Sequence, residues 1–391
     1  MLTNLRIKNF RMLEDLEIPK LGRVNLIVGK NNSGKSSILE AIRIYTEKAD
    51  REFLREILIN HDESVTFDHE PDNQNQSNWY GLKNLFYKRE FPAKENVFIS
   101  ISSNEKNLIR LEHVFYYQQE ETKFDNDGNE ISKSRKRIPI QPSELSSFLE
   151  QSDTELIPAL SITIGEARNT LFNLTANSQR IGLSPPLWGL FPPDTPNSNF
   201  VPTRLLSSEK LAELWDKIAA KSEEQVLLQT LKVIDPSIER LVFIKNLERS
   251  SRQKNDRIPV VTQHGSDTRI PLNSMGDGIS RLLQLILSIF PARDGILLID
   301  EFENGLHYSV QSEVWRIIFQ LAKELNIQVF ATTHSWDCIE SFNKAAVESP
   351  EEGVLLKVSR SKLTSDNGKV IATVYDEEAL KTVTASALEV R

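Results

Sequence analysis

The chain has 391 residues, of which 39% are hydrophobic and 26% charged, an ordinary composition for a folded protein of two or three domains at ~150 residues each. Lys plus Arg number 47 against 55 Asp plus Glu, a formal net charge of -8, which excludes a whole-chain basic footprint for nucleic acid but not a local patch. The single cysteine, Cys338, excludes an internal disulfide and a cysteine zinc cluster, and no apolar run reaches the ~18 residues of a membrane span, so the expected setting is the cytoplasm without a membrane partner.

Leu5, Ile7 and Phe10 alternate as in a strand, and Leu16 and Ile18 continue a second. Val24-Asn25-Leu26-Ile27-Val28 is nearly all apolar, the pattern of a short strand buried on both faces. A helix is predicted over 36–48, where Ile38, Leu39, Ile42 and Tyr45 recur at helical spacing. Between strand and helix, Gly29-Lys30-Asn31-Asn32-Ser33-Gly34-Lys35-Ser36 matches G-x-x-x-x-G-K-S in the context that motif requires. The glycines let backbone N–H groups turn inward around phosphates. The helix N-terminus adds a partial positive charge. Lys35 is expected to reach the β- and γ-phosphates and the Ser36 hydroxyl to bind Mg²⁺, with Gly29, Asn31, Asn32, Ser33, Gly34 and Ser37 completing the phosphate wall.

From about 51 to 200 the pattern is less regular. Residues 60–79 are polar and read as a loop. Strands are predicted over 108–118 and 131–140, joined by a hairpin turn at Asp125-Asn126-Asp127-Gly128-Asn129. Pro185, Pro186, Pro192, Pro193, Pro196 and Pro202 make 182–203 a linker or irregular crossing, neither helix nor strand. Residues 207–233 read as helical through Leu211, Leu214, Ile218, Val226, Leu227 and Leu231.

The C-terminal part is regular again. An apolar helix over 278–290 ends at Pro291, a buried strand follows over 295–299, an amphipathic helix over 309–325, and another buried strand over 328–332. Strands over 353–359 and 370–375 form a hairpin with Asp366-Asn367-Gly368 at its turn. Strands alternating with helices give an α/β fold with a mainly parallel sheet. Leu297-Leu298-Ile299 ends in Asp300, placed to hold Mg²⁺ through water, and Glu301, placed to orient or deprotonate the attacking water. The next strand ends in Thr333-His334-Ser335, where His334 is expected to hydrogen-bond the γ-phosphate or the water. All three segments fall at the C-terminal ends of apolar strands, where ligands bind in open parallel sheets.

Together these motifs resemble the ABC-type ATPase heads of the SMC, RecF and OLD group. Leu5-Arg6-Ile7-Lys8-Asn9-Phe10-Arg11 is similar to that group's N-terminal strand, which implies that Arg11 lies near the nucleotide phosphates. Leu272-Asn273-Ser274-Met275-Gly276-Asp277-Gly278 resembles the ABC signature, with Ser274 and Gly276 at its Ser and second Gly positions and Met275 where transporters carry Gly. Glu303-Asn304-Gly305-Leu306-His307 sits at the D-loop position, with His307 for the usual Asp. The resemblance implies a P-loop NTPase head with a mainly parallel sheet plus an antiparallel N-terminal β lobe, split by a large mixed α+β insertion. Residues 1–50 and 270–391 are expected to form the head and 51–269 the insertion.

The resemblance also implies ATP as the nucleotide, with Mg²⁺. Two heads would sandwich two ATP molecules in a homodimer or higher homo-oligomer, Ser274 and Gly276 facing the γ-phosphate bound by the second subunit. ATP would close the pair and hydrolysis release it. The stretch after His334 is expected to hold no Toprim nuclease domain. The head is therefore expected to control a separate effector chain, for example a nuclease in anti-phage defence. Two other readings stay open. One is a RecF-like DNA-repair or DNA-maintenance ATPase that clamps duplex DNA, with Lys133-Ser134-Arg135-Lys136-Arg137 meeting phosphates. The other is a nucleotide-gated scaffold with little turnover, against which the intact Glu301 stands.

Overall fold

The computed structural model describes residues 1–63, 78–92, 97–103, 108–124, 130–140, 144–151, 156–165, 167–174, 197–219, 223–245, 257–266, 268–349, 353–376 and 379. The predicted turn at 125–129 and most of the proline-rich crossing lie outside these residues. The chain forms two compact units. The first comprises Met1–Asn4, Glu17–Leu39 and Pro196–Arg391, and the second Leu5–Leu16 and Glu40–Thr195.

The strands β1 (Leu5–Phe10) and β2 (Leu13–Ile18) come first, followed by β3 (Val24–Val28), whose five residues are all buried. Helix α1 (Lys35–Thr46) follows, and then α2 (Arg51–Asn60), capped by the Asp50 carboxylate, which accepts from the N–H groups of Glu52 and Phe53. The second unit continues with β4 (Ile99–Ser102), β5 (Leu108–Phe124), β6 (Glu130–Ile140), α3 (Leu145–Gln151), β7 (Ile157–Ile164) and β8 (Ala167–Asn173). One seven-stranded sheet runs β2-β1-β4-β5-β7-β8, with β6 paired to β5. The β1–β4, β4–β5, β5–β6, β5–β7 and β7–β8 pairs are all antiparallel, as expected for the β lobe. Of the basic run on β6, Arg135 pairs with Glu120 of β5 at 3.1 Å.

In the first unit come β9 (Ser198–Val201), α4 (Ser208–Ala219), α5 (Glu224–Leu231), β10 (Ile238–Lys245), β11 (Arg257–Gln263) and β12 (Ile270–Pro271). They are followed by α6 (Asp277–Ile289), β13 (Ile296–Ile299), α7 (Tyr308–Glu324), β14 (Gln328–Thr333), α8 (Trp336–Glu348), β15 (Gly353–Arg360) and β16 (Val370–Tyr375). The main sheet runs β16-β15-β3-β14-β13-β9. It is parallel from β15 to β9, and β16 closes it as an antiparallel hairpin partner. β10, β11 and β12 form a small antiparallel sheet.

Strand β9 lies in the stretch that the sequence reads as irregular. It pairs in register with Ile296–Ile299 at the sheet edge, and only Val201 of its four residues is buried. An edge strand held by backbone pairing carries no apolar run to announce it. Residues 198–269, which the sequence reading sets in the insertion, belong to the first unit. The reason is packing: Leu211, Leu214, Leu227 and Leu231 share one core with α6.

Helix α6 is apolar nearly all round, and every residue from Ile279 to Ile289 is buried. Each Leu or Ile so placed contributes roughly 1.5–3 kcal/mol. On the same core, Trp315 of α7 stacks on Phe302 at 3.9 Å and meets Phe342 of α8 edge-on at 5.1 Å. Phe302 directly follows Glu301, so this aromatic stack fixes the loop that leaves β13. Among the described residues no helix is long and apolar enough to cross a membrane.

Candidate functional site

The phosphate loop leaves β3 at Gly29. A Cβ there would lie 2.3 Å from the Val358 carbonyl oxygen and 2.7 Å from Ser33 Oγ, so only glycine fits. Asn32 and Gly34 have φ of 59° and 105°, which turn the chain back onto the start of α1. The Ile38 N–H then donates to the Gly34 carbonyl at 3.0 Å, an early helical bond. Ser33 is buried, Ser37 half-buried, and Asn31, Asn32 and Ser36 are exposed. Lys35 Nζ donates to the carbonyls of Gly29 at 2.8 Å and Lys30 at 3.1 Å. Burial pushes the Lys35 ammonium below its usual range, and the charges of Asp300, Glu301 and Glu303 oppose that shift.

The acids sit at the end of β13. Thr332 Oγ1 donates to Asp300 Oδ1 at 2.7 Å, and Thr203 Oγ1 donates to Asp300 Oδ2 at 3.2 Å. Glu301 holds a left-handed backbone, φ 47°, a conformation that costs a non-glycine residue about 1–3 kcal/mol. It is pinned on both sides: its N–H donates to Thr332 Oγ1 at 2.9 Å, and its carbonyl accepts from Arg281 Nη2 at 3.1 Å. Arg281 is buried and also donates to the carbonyls of Pro202 at 2.6 Å and Asp300 at 3.0 Å. Burial lowers its guanidinium to about 10, against the pull of Asp300, Glu303 and Glu301. One turn on, Gln284 Nε2 donates to the Pro202 and Arg204 carbonyls. Helix α6 is thus stitched to the ends of β9 and β13.

At the end of β14, His334 is half exposed. Its Nδ1 lies 3.2 Å from Glu303 Oε1 and 3.9 Å from Glu301 Oε1. The loop and the strand ends therefore bring Lys35, Asp300, Glu301 and His334 into one cluster. Ser274 and Gly276 lie elsewhere in the unit, exposed at the start of α6, where Gly276 has φ 99° and open space around it. A Cβ at Gly278 would lie 3.1 Å from the Gly305 carbonyl oxygen, so the loop after Glu303 packs on this helix start. His307 caps α7 by accepting the Ser309 N–H on its side chain. Arg11 belongs to the second unit, in the turn between β1 and β2. There it pairs with Glu40 at 2.7 Å and Glu63 at 3.1 Å. Sequence reasoning misses Thr203, Arg281 and Thr332, and it reads Glu303 only as part of the D-loop segment, not as a neighbour of His334. Only Thr332 carried a signal, a hydroxyl beside two other polar residues at the end of an apolar strand.

Among the described residues no group of three or more His, Cys, Asp or Glu side chains could hold a metal ion alone. Ser36 and Asp300 offer hard oxygen donors, and Mg²⁺ is usually held by one or two such groups together with phosphate oxygens and water. The donor set fits that ion.

A parallel sheet with a glycine-rich loop after β3 and acids after β13 has the α/β fold of a P-loop ATPase head. The chain belongs to the AAA ATPase domain family, whose model matches residues 1–339, and it is similar to the ATPases of the SMC, RecF and OLD group. It is 22% identical over 379 residues to an ATP/GTP phosphatase of Helicobacter pylori, covering 89% of each chain. It is 55% identical over 42 residues to an OLD nuclease of Thermus scotoductus, covering 11% of this chain and 8% of that one. A crystal structure of the SmcHead bound to the C-winged helix domain of ScpA aligns over 97% of this chain and 99% of that chain, with 16% identity and a TM-score of 0.47.

Proposed function

We propose that the chain binds and hydrolyses Mg-ATP, and that ATP draws two heads together to switch a separate effector chain. The observation that supports this best is the shared electrostatic field of Lys35, Asp300, Glu301 and Glu303 at the C-terminal ends of parallel strands. The name of the Helicobacter pylori relative, an ATP/GTP phosphatase, points the same way. The N–H groups of the loop and Lys35 bind the β- and γ-phosphates. Ser36 and Asp300 would hold Mg²⁺, which when bound neutralises charge on phosphate oxygens. Glu301 orients the attacking water and takes its proton, and its pinned backbone fixes that direction before ATP arrives. Ser274 and Gly276, exposed at the start of α6, are available to the nucleotide of a second head.

Head engagement is tested by light scattering of the Glu301→Gln chain with and without Mg-ATP. The mass is expected to double on adding Mg-ATP, and Ser274→Arg in the same background is expected to abolish the rise. An unresponsive mass with ATP bound would remove head engagement from the reading.

Thr332→Val tests the positioning of the acids. It keeps the side-chain shape but removes a donor to Asp300 and the acceptor of the Glu301 N–H. The strained Glu301 backbone then loses the tie on its N–H. The expected result is a loss of about 1–3 kcal/mol in denaturant unfolding and at least a roughly tenfold fall in kcat. Wild-type kcat in a folded Thr332→Val chain would show that this hydroxyl does not position the acids.

A further inference from the structure

We propose that Glu303 is a positioning residue that holds His334 as the Nδ1-protonated tautomer, leaving Nε2 to accept a hydrogen bond from the attacking water. The inference rests on the ATPase reading above and decides between two roles for His334. One role is a donor to the γ-phosphate, and the other an acceptor from the water.

One carboxylate oxygen of Glu303 holds the His334 backbone and stands beside its ring. Glu303 Oε1 accepts the His334 backbone N–H at 3.0 Å and lies 3.2 Å from the ring Nδ1. An ionised carboxylate oxygen 3.2 Å from Nδ1 attracts a proton on that nitrogen and repels its lone pair, which favours the Nδ1-protonated tautomer. In a neutral imidazole the other nitrogen is then an acceptor. Glu301 does not compete for Nδ1, because its nearest oxygen is 3.9 Å away, beyond hydrogen-bond reach.

The surroundings keep Glu303 in place. Its side chain is only 11% exposed, whereas that of His334 is 50% exposed. Among the described residues its second oxygen, Oε2, is buried without a hydrogen-bond partner. A buried carboxylate with few donors holds those it has, since losing one costs the full desolvation of the group. Its backbone is fixed as well: Phe302 is locked in the aromatic stack, and the Leu306 N–H donates to the Glu303 carbonyl at 2.9 Å. With Nδ1 taken, Nε2 is the nitrogen left for a ligand.

The tautomer is read directly from ring ¹⁵N shifts of the full chain labelled at histidine, without nucleotide, at about pH 8, above the ordinary imidazole range. His334→Gln identifies the His334 signals by their loss. The expected spectrum has a protonated Nδ1 and a bare Nε2, and Glu303→Ala is expected to move the proton toward Nε2. A wild-type proton on Nε2, or a tautomer unchanged in Glu303→Ala, would overturn the proposal. The wild-type spectrum alone decides it if the variant does not fold.

Kinetics give the second arm. Glu303→Ala is expected to lower kcat for ATP about 10- to 100-fold while KM moves less than about threefold. Glu303→Gln, whose amide oxygen still accepts from Nδ1, should recover most of the loss. Equal loss in both variants would tie the effect to charge rather than tautomer and count against the proposal. A wild-type chain without ATP turnover would sink the ATPase reading while leaving the spectrum to judge Glu303, so the two failures are distinguishable.

Discussion

Replacing Lys35 with alanine is expected to abolish measurable nucleotide binding while leaving the fold intact. The ammonium rests on the carbonyls of Gly29 and Lys30. Water reaches this half-buried site, so the alanine variant should melt close to wild type. Binding is another matter. Asp300, Glu301 and Glu303 all act on Lys35, and without it they face incoming phosphates as negative charge that Arg281 still offsets in part. Losing one charge-assisted contact in such a partly desolvated site and gaining that repulsion costs about 3–5 kcal/mol. That corresponds to a roughly 10²- to 5 × 10³-fold weaker Kd. Titration calorimetry with Mg-ATP would check it, with the nucleotide-induced rise in Tm as a second reading. Unchanged affinity in Lys35→Ala would sink the phosphate-loop assignment.

The same electrostatics explain which parts of the site were visible in the sequence. β3, β13 and β14 are buried on every residue, so each reads as a largely apolar run, and the polar residues that end the runs stand out. Lys35, Asp300, Glu301 and His334 were legible for that reason. The residues that hold them were not. Thr203 follows an edge strand with one buried residue, beyond a run of prolines. Arg281 sits in a helix whose pattern calls for an apolar side chain, and only the carbonyls of Pro202, Asp300 and Glu301 account for a charge there. Glu303 and His334 are 31 positions apart in the chain. Their meeting depends on the register of β13 against β14, where Ile299 pairs with Ala331, and no local pattern encodes that register.

Glu301→Gln is expected to bind ATP at least as well as wild type and to hydrolyse it about 10²- to 10⁴-fold more slowly. The substitution keeps volume and shape, so the left-handed backbone can stay pinned between Thr332 and Arg281. Lys35 and the loop that meets the phosphates are untouched. One negative charge is removed from a cluster of three that would face ATP, which weakens repulsion in the ground state. What is lost is the group that takes the proton from water. A fall of 10³ would correspond to about 4 kcal/mol of transition-state stabilisation. Single-turnover phosphate release, measured beside the Kd for Mg-ATP, separates the two effects. Slow release with unimpaired affinity assigns the proton transfer to Glu301. Wild-type release would remove Glu301 from that role and move attention to Glu303, the nearest remaining carboxylate to the His334 ring. That alternative predicts its own signature: Glu303→Gln would then be as slow as Glu303→Ala, because an amide can orient an imidazole but cannot take a proton from water.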